Sequence, residues 1–348
     1  MQITYKLRVM DTHAAELGRQ ARAVNFVWNY VNQAQRRAWQ ESRRFLSRFA
    51  LQRLSAGTSQ ELGLHAHTIQ QVSRAYTEAR RTHRKAWLRW RGRRSLGWVP
   101  FSTGHVAFDG EAFVFRGVRY RTMHHREIPA GARLGAGSFN ADARGRWYLN
   151  VPVDVPEATS ASIRHVGIDL GLKDLAALST GPKIEAPCFY RASEVALGTA
   201  QRARKTRRIR AIHAKVANRR RDFLHKESLK IVKAHGLVVV GNVSASRLAR
   251  TPMAKSVLDA GWSTFRNMLR YKSRLRGGGA CLEVSEHLST QVCSACGSLP
   301  ASRPKGIADL RQRVWRCDDC GTVHDRDTNA ARNILRLGQQ TLAGGAHV

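Results

Sequence analysis

Four cysteines stand as two pairs, Cys293-Ser-Ala-Cys296 and Cys317-Asp-Asp-Cys320. Two residues inside each pair let both thiolates of a turn face one ion, and four thiolates together make a closed, structural, tetrahedral zinc site. Immediately afterwards comes His324-Asp325-Arg326-Asp327-Thr-Asn-Ala-Ala, an acidic cluster that opens a helix. Carboxylate oxygens there suit hard cations such as Mg²⁺. A further acid, Asp169, closes the apolar run His165-Val-Gly-Ile-Asp169-Leu-Gly171. Either Asp taken alone reads first as a helix cap or a solvated turn residue. Together they carry more weight, because two-metal phosphodiester cleavage needs several carboxylates converging on cations ~4 Å apart.

The elements that must position these groups fall in order along the chain. Residues 3 to 9 alternate like a strand, and Ala14 to Arg53 read as an amphipathic helix with Leu17, Ala21, Val24, Val27 and Val31 at helical spacing. A second helix is expected over His67 to Arg91, with Ile69, Val72, Tyr76, Trp87 and Trp90 as core residues beside the basic cluster Arg80, Arg81, Arg84 and Lys85. From Phe101 to Val155 short alternating runs separated by Gly-containing turns indicate an antiparallel, barrel-like β unit, which the opening strand joins. The helices then read as an insertion into a β domain. Beyond Pro156 the strand ending at Asp169, hairpin partners at 175–179 and 184–190, a helix within 200–234, a strand at 237–240, a helix over 257–276 and a strand at 281–285 give a mostly parallel α/β layout of the ribonuclease H type. In such sheets functional groups gather beyond the carboxyl ends of the strands.

Charge names the class of partner. The chain has 348 residues with 59 Lys and Arg against 25 Asp and Glu, a formal +34. Such an excess repels itself unless a polyanion is near, and nucleic acid is the partner expected. The helical stretch containing Arg202, Arg204, Lys205, Arg207, Arg208, Arg210, Arg219, Arg220 and Arg221 is the densest candidate surface. The N-terminal residues lack a hydrophobic signal core, and the strongest apolar stretch, 237–240, is too short to span a membrane. A cytoplasmic protein, associated with the nucleoid in a prokaryote and with no membrane partner, is expected. Cys188 and Cys281 then stand as free thiols in a reducing compartment, with no disulfide framework.

Gly167-Ile-Asp169-Leu-Gly171, Ser289-Thr-Gln-Val-Cys293-Ser-Ala-Cys296-Gly297, Trp315-Arg-Cys317-Asp-Asp-Cys320-Gly321 and His324-Asp-Arg-Asp327-Thr-Asn-Ala-Ala-Arg-Asn-Ile resemble TnpB, the transposon-encoded RNA-guided DNA endonucleases related to Fanzor and type V CRISPR effectors. The resemblance is strong from about residue 165 to 336. It implies a multidomain α/β protein: a β-barrel-like wedge domain (1–10 and 95–160) carrying a helical recognition insertion (11–94), and an RNase H-like RuvC nuclease domain (161–290 and 323–348) with an inserted zinc ribbon (291–322). It further implies a guide RNA from the transposon end, a double-stranded DNA target opened beside a short flanking motif, structural Zn²⁺ on Cys293, Cys296, Cys317 and Cys320, and catalytic Mg²⁺ on RuvC acids, the first being Asp169 and the third Asp327.

The second acid departs from the pattern. TnpB proteins usually carry Glu directly after the Val-rich strand, where this chain has Gly241. Either cleavage is lost and the protein is an RNA-guided DNA-binding repressor, or another Glu takes the position. Glu286 is in phase with Leu282 and Val284 at the carboxyl end of the neighbouring strand, whereas Glu283 points to the opposite face. Some TnpB and Fanzor relatives relocate this glutamate similarly, so the expected magnesium ligands are Asp169, Glu286 and Asp327. A cut-and-paste transposase is a third reading, which fits three acids better than it fits the zinc ribbon.

Overall fold

The alternating opening segment forms β1 (Gln2–Val9), and in the computed structural model it lies inside a sheet, paired with strands on both sides. The structure describes residues 2–344 apart from 124–126, 130, 157–161, 245–247, 249, 278 and 306–307. It divides into two units, Met1–Val155 and Pro156–Val348. No helix among the described residues is long and apolar enough to cross a membrane.

In the first unit β2 (Trp98–Phe101), β3 (Val106–Phe108), β4 (Ala112–Phe115), β5 (Val118–Met123), β6 (Gly137–Ala141) and β7 (Trp147–Asp154) join β1 in one sheet ordered β2-β6-β7-β1-β5-β4-β3, every ladder antiparallel. Five ladder steps separate β2 from β4, about 24 Å in a flat sheet at ~4.8 Å per step. Yet the Phe101 and Phe115 rings stand only 5.8 Å apart. The sheet is therefore curled on itself, barrel-like, around Phe101, Phe115, Tyr120 and Phe139.

Between β1 and β2 lie α1 (Ala14–Ser42), α2 (Arg48–Leu54) and α3 (Ala66–Thr82), where Val24, Val27 and Val31 pack on Ile69, Val72 and Tyr76. The single helix expected over 14–53 is broken at Arg43, a left-handed cap with φ 54°. The second expected helix stops at Thr82 instead of running to Arg91. The reason is tertiary: Trp28, Asn29 and Asn32 of α1 donate to the carbonyls of Arg89, Arg91 and Leu88, partners that a non-helical backbone needs and a helix would not. Trp87 and Trp90 are consequently not core residues. They are 42% and 47% exposed, with the Arg36 guanidinium 5.5 and 5.0 Å from their rings.

The second unit holds β8 (His165–Leu170), β9 (Asp174–Leu178), β10 (Lys183–Glu185), β11 (Leu237–Gly241) and β12 (Ala280–Val284) in the order β10-β9-β8-β11-β12. Strands β8, β11 and β12 run parallel, while β9 and β10 are antiparallel additions. Helices α4 (Glu194–Arg202) and α5 (Thr206–Ala234) replace one expected helix, divided at Arg204 with φ 52°. Likewise α6 (Ala254–Ala260) and α7 (Trp262–Gly277) are divided at Gly261, φ 69°, where a Cβ would stand 3.2 Å from Leu224. One sheet face packs Val166, Ile168, Val238 and Val240 on Leu224, Ile231, Phe265 and Leu269. The other is covered by α8 (Arg326–Ala343), through Ile334 on Leu237 and Val239.

Helix α8 rests on the sheet at backbone contact. A Cβ on Gly167 would lie 2.0 Å from the Ala331 carbonyl oxygen, and one on Gly338 would lie 2.4 Å from Val239. Both positions must be glycine for the helix to come this close. Gly167→Ala is therefore expected to lower stability by ~2 kcal/mol or more through forced displacement of α8, whereas Gly92→Ala, whose Cβ meets no atom within 4 Å, should be nearly neutral. Thermal melts of the two variants side by side check this.

Candidate metal centres and nucleic-acid surface

The four cysteines converge. Cys293 Sγ lies 3.7 Å from Cys320 Sγ and Cys296 Sγ lies 3.8 Å from Cys317 Sγ, and all four are mutually within 4.8 Å. Tetrahedral thiolates at ~2.3 Å from zinc stand ~3.8 Å apart, so this donor set fits the ion. Two copies of one turn build the site: the Gly297 amide donates to the Cys293 carbonyl and the Gly321 amide to the Cys317 carbonyl, each at 2.9 Å, with φ 80° and 74° at the glycines. The hairpin β13 (Val314–Arg316) and β14 (Val323–Asp325) carries the second turn. Burial pushes the Cys293 thiol up to about 12, whereas hydrogen bonds from the Ser298 hydroxyl and amide draw Cys296 down to about 6. His324, buried, places Nε2 3.0 Å from Cys293 Sγ, where an N–H could steady the thiolate. Its place in the acidic motif gave no sign of that role.

The carboxylates meet on the α8 face of the sheet. Asp169 follows Gly167 by two residues on β8, so its side chain points to the same face as a Cβ on Gly167 would, toward α8. Val240 pairs with Ile168, which puts Gly241 level with Asp169 one strand away. Glu286 leaves the end of β12 and turns back over Gly241: a Cβ built there would stand 3.0 Å from Glu286 Oε2. The Glu286 carboxyl thus fills the space where a side chain at 241 would begin. Glu283 lies on the other face, paired with Arg266 at 2.7 Å and Arg270 at 3.1 Å.

Asp327 stands in the first turn of α8, with Arg313 and Lys183 at 3.3 and 3.4 Å. Asp325 is the helix cap, accepting from the Thr328 amide at 2.9 Å and from Lys183 at 2.8 Å. Burial opposes its charged form, but these hydrogen bonds outweigh burial and hold its carboxyl below the ordinary value. Asp169 has no such hydrogen bond among the described residues, and the charges of Arg326 and Lys183 lower it less than its surroundings raise it. Burial, then the charges of Asp327 and Glu286, push it to about 8. Burial also raises Glu286. Among the described residues the three acids are not drawn to the mutual 4.8 Å that the thiolates reach. Two cations ~4 Å apart with Mg–O bonds of ~2.1 Å allow outer ligands to stand up to roughly 8 Å apart, so a two-ion site does not require that closeness.

Two residues unremarked in sequence tie the sites together. Asn329 and Asn333, one helical turn apart and buried, both donate to the Val292 carbonyl, at 2.8 and 2.7 Å. Asn333 also donates to Ser289 at 2.8 Å, and Asn329 accepts from the Ser294 amide at 2.8 Å. The Ser289 amide in turn bonds the Glu286 carbonyl at 3.0 Å. Their i, i+4 spacing on a helix opened by Asp327 was the available signal.

Along α4 and α5, Arg202, Arg204, Lys205, Arg207, Arg208, Arg210, Arg219 and Arg221 are exposed, and none has an ion-pair partner among the described residues. Arg220 differs. It turns inward to the Leu258 carbonyl at 2.9 Å and to Asp259 at 3.6 Å, so it serves the docking of α6.

The OrfB_IS605 family model, described as "Probable transposase", matches residues 148–251, and the model "Cas12f1-like, TNB domain" matches residues 262–334. "Putative RNA-guided DNA endonuclease" of Streptomyces pristinaespiralis is 29% identical over 98% of this chain and 90% of its own length. "Putative RNA-guided DNA endonuclease InsQ" of Escherichia coli K12 is 31% identical over 59% of this chain and 57% of its own length. "TnpB-like protein L79" of Acanthamoeba polyphaga mimivirus is 26% identical over 58% of this chain and 42% of its own length. The chain belongs to the TnpB family. It spans most of the first of these TnpB relatives and about half of the other two. The two matched regions take in Asp169 and Gly241 on one side and Glu286, the four cysteines and Asp327 on the other.

The acid cluster of this TnpB-family chain carries a pH signature. An acid whose pKa rises on folding holds its proton more tightly in the folded state, so stability falls as pH climbs from the ordinary carboxylate range to about 8. In Mg²⁺-free buffer Asp169→Asn should melt above the unmodified protein, with a gap that widens across that window and levels off beyond it. A gap independent of pH would show that Asp169 is already ionised throughout.

Proposed function

We propose that this TnpB-family protein is an RNA-guided DNA endonuclease of a transposable element, cleaving target DNA beside a short flanking motif by two-metal phosphodiester hydrolysis. The observation that carries the reading is the Glu286 carboxyl seated over Gly241, beside an Asp169 whose proton affinity is raised by burial, Asp327 and Glu286. Three carboxylates gathered away from water cost stability. A DNA-binding repressor would have no use for them. The oxygen donors fit a hard cation, and Asp169, Glu286 and Asp327 are the residues that would hold Mg²⁺. Mg²⁺ bound there supplies Lewis-acid stabilisation of the phosphodiester and a water activated for attack. Lys183 and Arg313 hold Asp327 in place from the side, and Asn329 and Asn333 hold the segment from Glu286 to Ser294.

In this reading the second unit is an RNase H-like RuvC domain (161–290 and 323–348) with a zinc ribbon (291–322) on structural Zn²⁺, and the first is a wedge domain (1–10 and 95–160) with a recognition insertion (11–94). Base pairing with a guide RNA from the transposon end reads the target, while the exposed arginines and lysines hold phosphate.

The test uses protein co-expressed with transposon-end RNA and a plasmid target in Mg²⁺. Asp169→Ala, Glu286→Ala and Asp327→Ala should each cut at least ~100-fold more slowly while still binding the guided target. Glu283→Ala should cut almost normally. Gly241→Glu combined with Glu286→Ala, which returns the carboxylate to the strand end, should recover cleavage lost by Glu286→Ala alone. Guided binding without cutting in Mg²⁺ or Mn²⁺ would establish the repressor. Guide-independent strand transfer of transposon ends would establish a transposase.

A further inference from the structure

Three histidines meet in the first unit, far in sequence from the acids and the cysteines. His65 caps α3, His67 lies in its first turn, and His105 sits in the turn after β2, shaped by Gly104 at φ 82°. The rings stand 4.0 Å apart for His67 and His105, 4.7 Å for His65 and His105, and 5.3 Å for His65 and His67. One nitrogen from each can be chosen so that all three lie within 4.8 Å of one another.

Ordinary packing explains this poorly. All three are at most half-buried and none belongs to the hydrophobic core, so no apolar core collects them. The ring nitrogens of His67 and His105 have no hydrogen-bond partner among the described residues. Burial and mutual proximity lower the proton affinity of His65 and His105, which favours the neutral imidazole that coordinates metal. Arg116, the nearby cation, donates to the Gly63 carbonyl and not to an imidazole.

We propose that His65, His67 and His105 form a second transition-metal site, of Zn²⁺ type, that fastens the start of α3 to the turn between β2 and β3. Three neutral imidazoles with one position left to water form a recognised zinc donor set, and imidazole nitrogens at ~2.1 Å from an ion stand ~3.4 Å apart. The present spacing reaches that by side-chain rotation. One bond must be exchanged: His65 Nδ1 accepts from the His67 amide at 3.2 Å, and a neutral ring has a single lone pair. Metal takes Nδ1 in place of that amide, and a single long capping bond is a small loss against a metal–imidazole bond. The ion closes a loop of about 40 residues between helix and sheet, stabilising the unit by constraining its unfolded state.

The experiment measures zinc per chain in intact protein with its cysteine ribbon unaltered, after dialysis against excess free Zn²⁺. The unmodified protein should hold one zinc more than either His67→Ala or His105→Ala, and its melting temperature should rise with added Zn²⁺ where theirs do not. His67 is not a core residue, so its removal leaves the core intact and decides the matter even if His105→Ala folds poorly. Equal zinc content in the unmodified protein and His67→Ala overturns the proposal, as does an equal melting shift.

Discussion

The backbone contact between α8 and the sheet of the second unit is the constraint on which the rest depends. Gly167 on the strand and Gly338 on the helix remove the two side chains that would hold these elements apart. Once the helix lies flat on the sheet, its first turn comes to the carboxyl ends of the parallel strands. Asp327 is carried there by α8, and Asp169 is turned toward it because it shares a strand face with Gly167. The same helix presents Asn329 and Asn333 to the segment before Cys293, so one helix carries Asp327 and braces the chain that leads to the thiolates.

This arrangement concentrates like charge in a poorly solvated place, and the fold answers it unevenly. Asp325 is satisfied by a helix amide and Lys183, and Asp327 is flanked by Lys183 and Arg313. Asp169 makes no ion pair among the described residues, and burial, then the charges of Asp327 and Glu286, raise its proton affinity. The cations proposed for this site would supply the positive charge that the acids lack in the protein alone. On the opposite face Glu283, within β12, is neutralised by Arg266 and Arg270, whereas Glu286, beyond the strand end, turns back over Gly241.

The first unit depends on a different economy of polar groups. Asn29, Asn32 and Trp28 of α1 supply hydrogen bonds to carbonyls in 88–91, which lets a sequence with helical composition run outside a helix. Side chains expected in the core, Trp87 and Trp90, then surface against Arg36. Curling of the sheet, by contrast, brings Phe101 to Phe115 and seals an aromatic interior.

By itself the sequence determined the residues whose chemistry is strongly local. The Cys-x-x-Cys-Gly turns specify their own geometry, and the alternation in β8, β11 and β12 specified which residues share a face, with Leu282 and Val284 on one side and Glu283 on the other. The expectation of a nucleic-acid partner came from net charge, because charge sums without regard to fold. What only tertiary structure decided were features set by non-local partners. These include the helix ends at Arg43, Thr82, Arg204 and Gly261, the inward turn of Arg220 onto Asp259, the asparagine clamp on Val292, and the meeting of His105 with His65 and His67. Periodicity reports which face of an element is apolar, but a backbone break or a buried polar contact depends on which distant carbonyl, acid or ring the fold brings beside it.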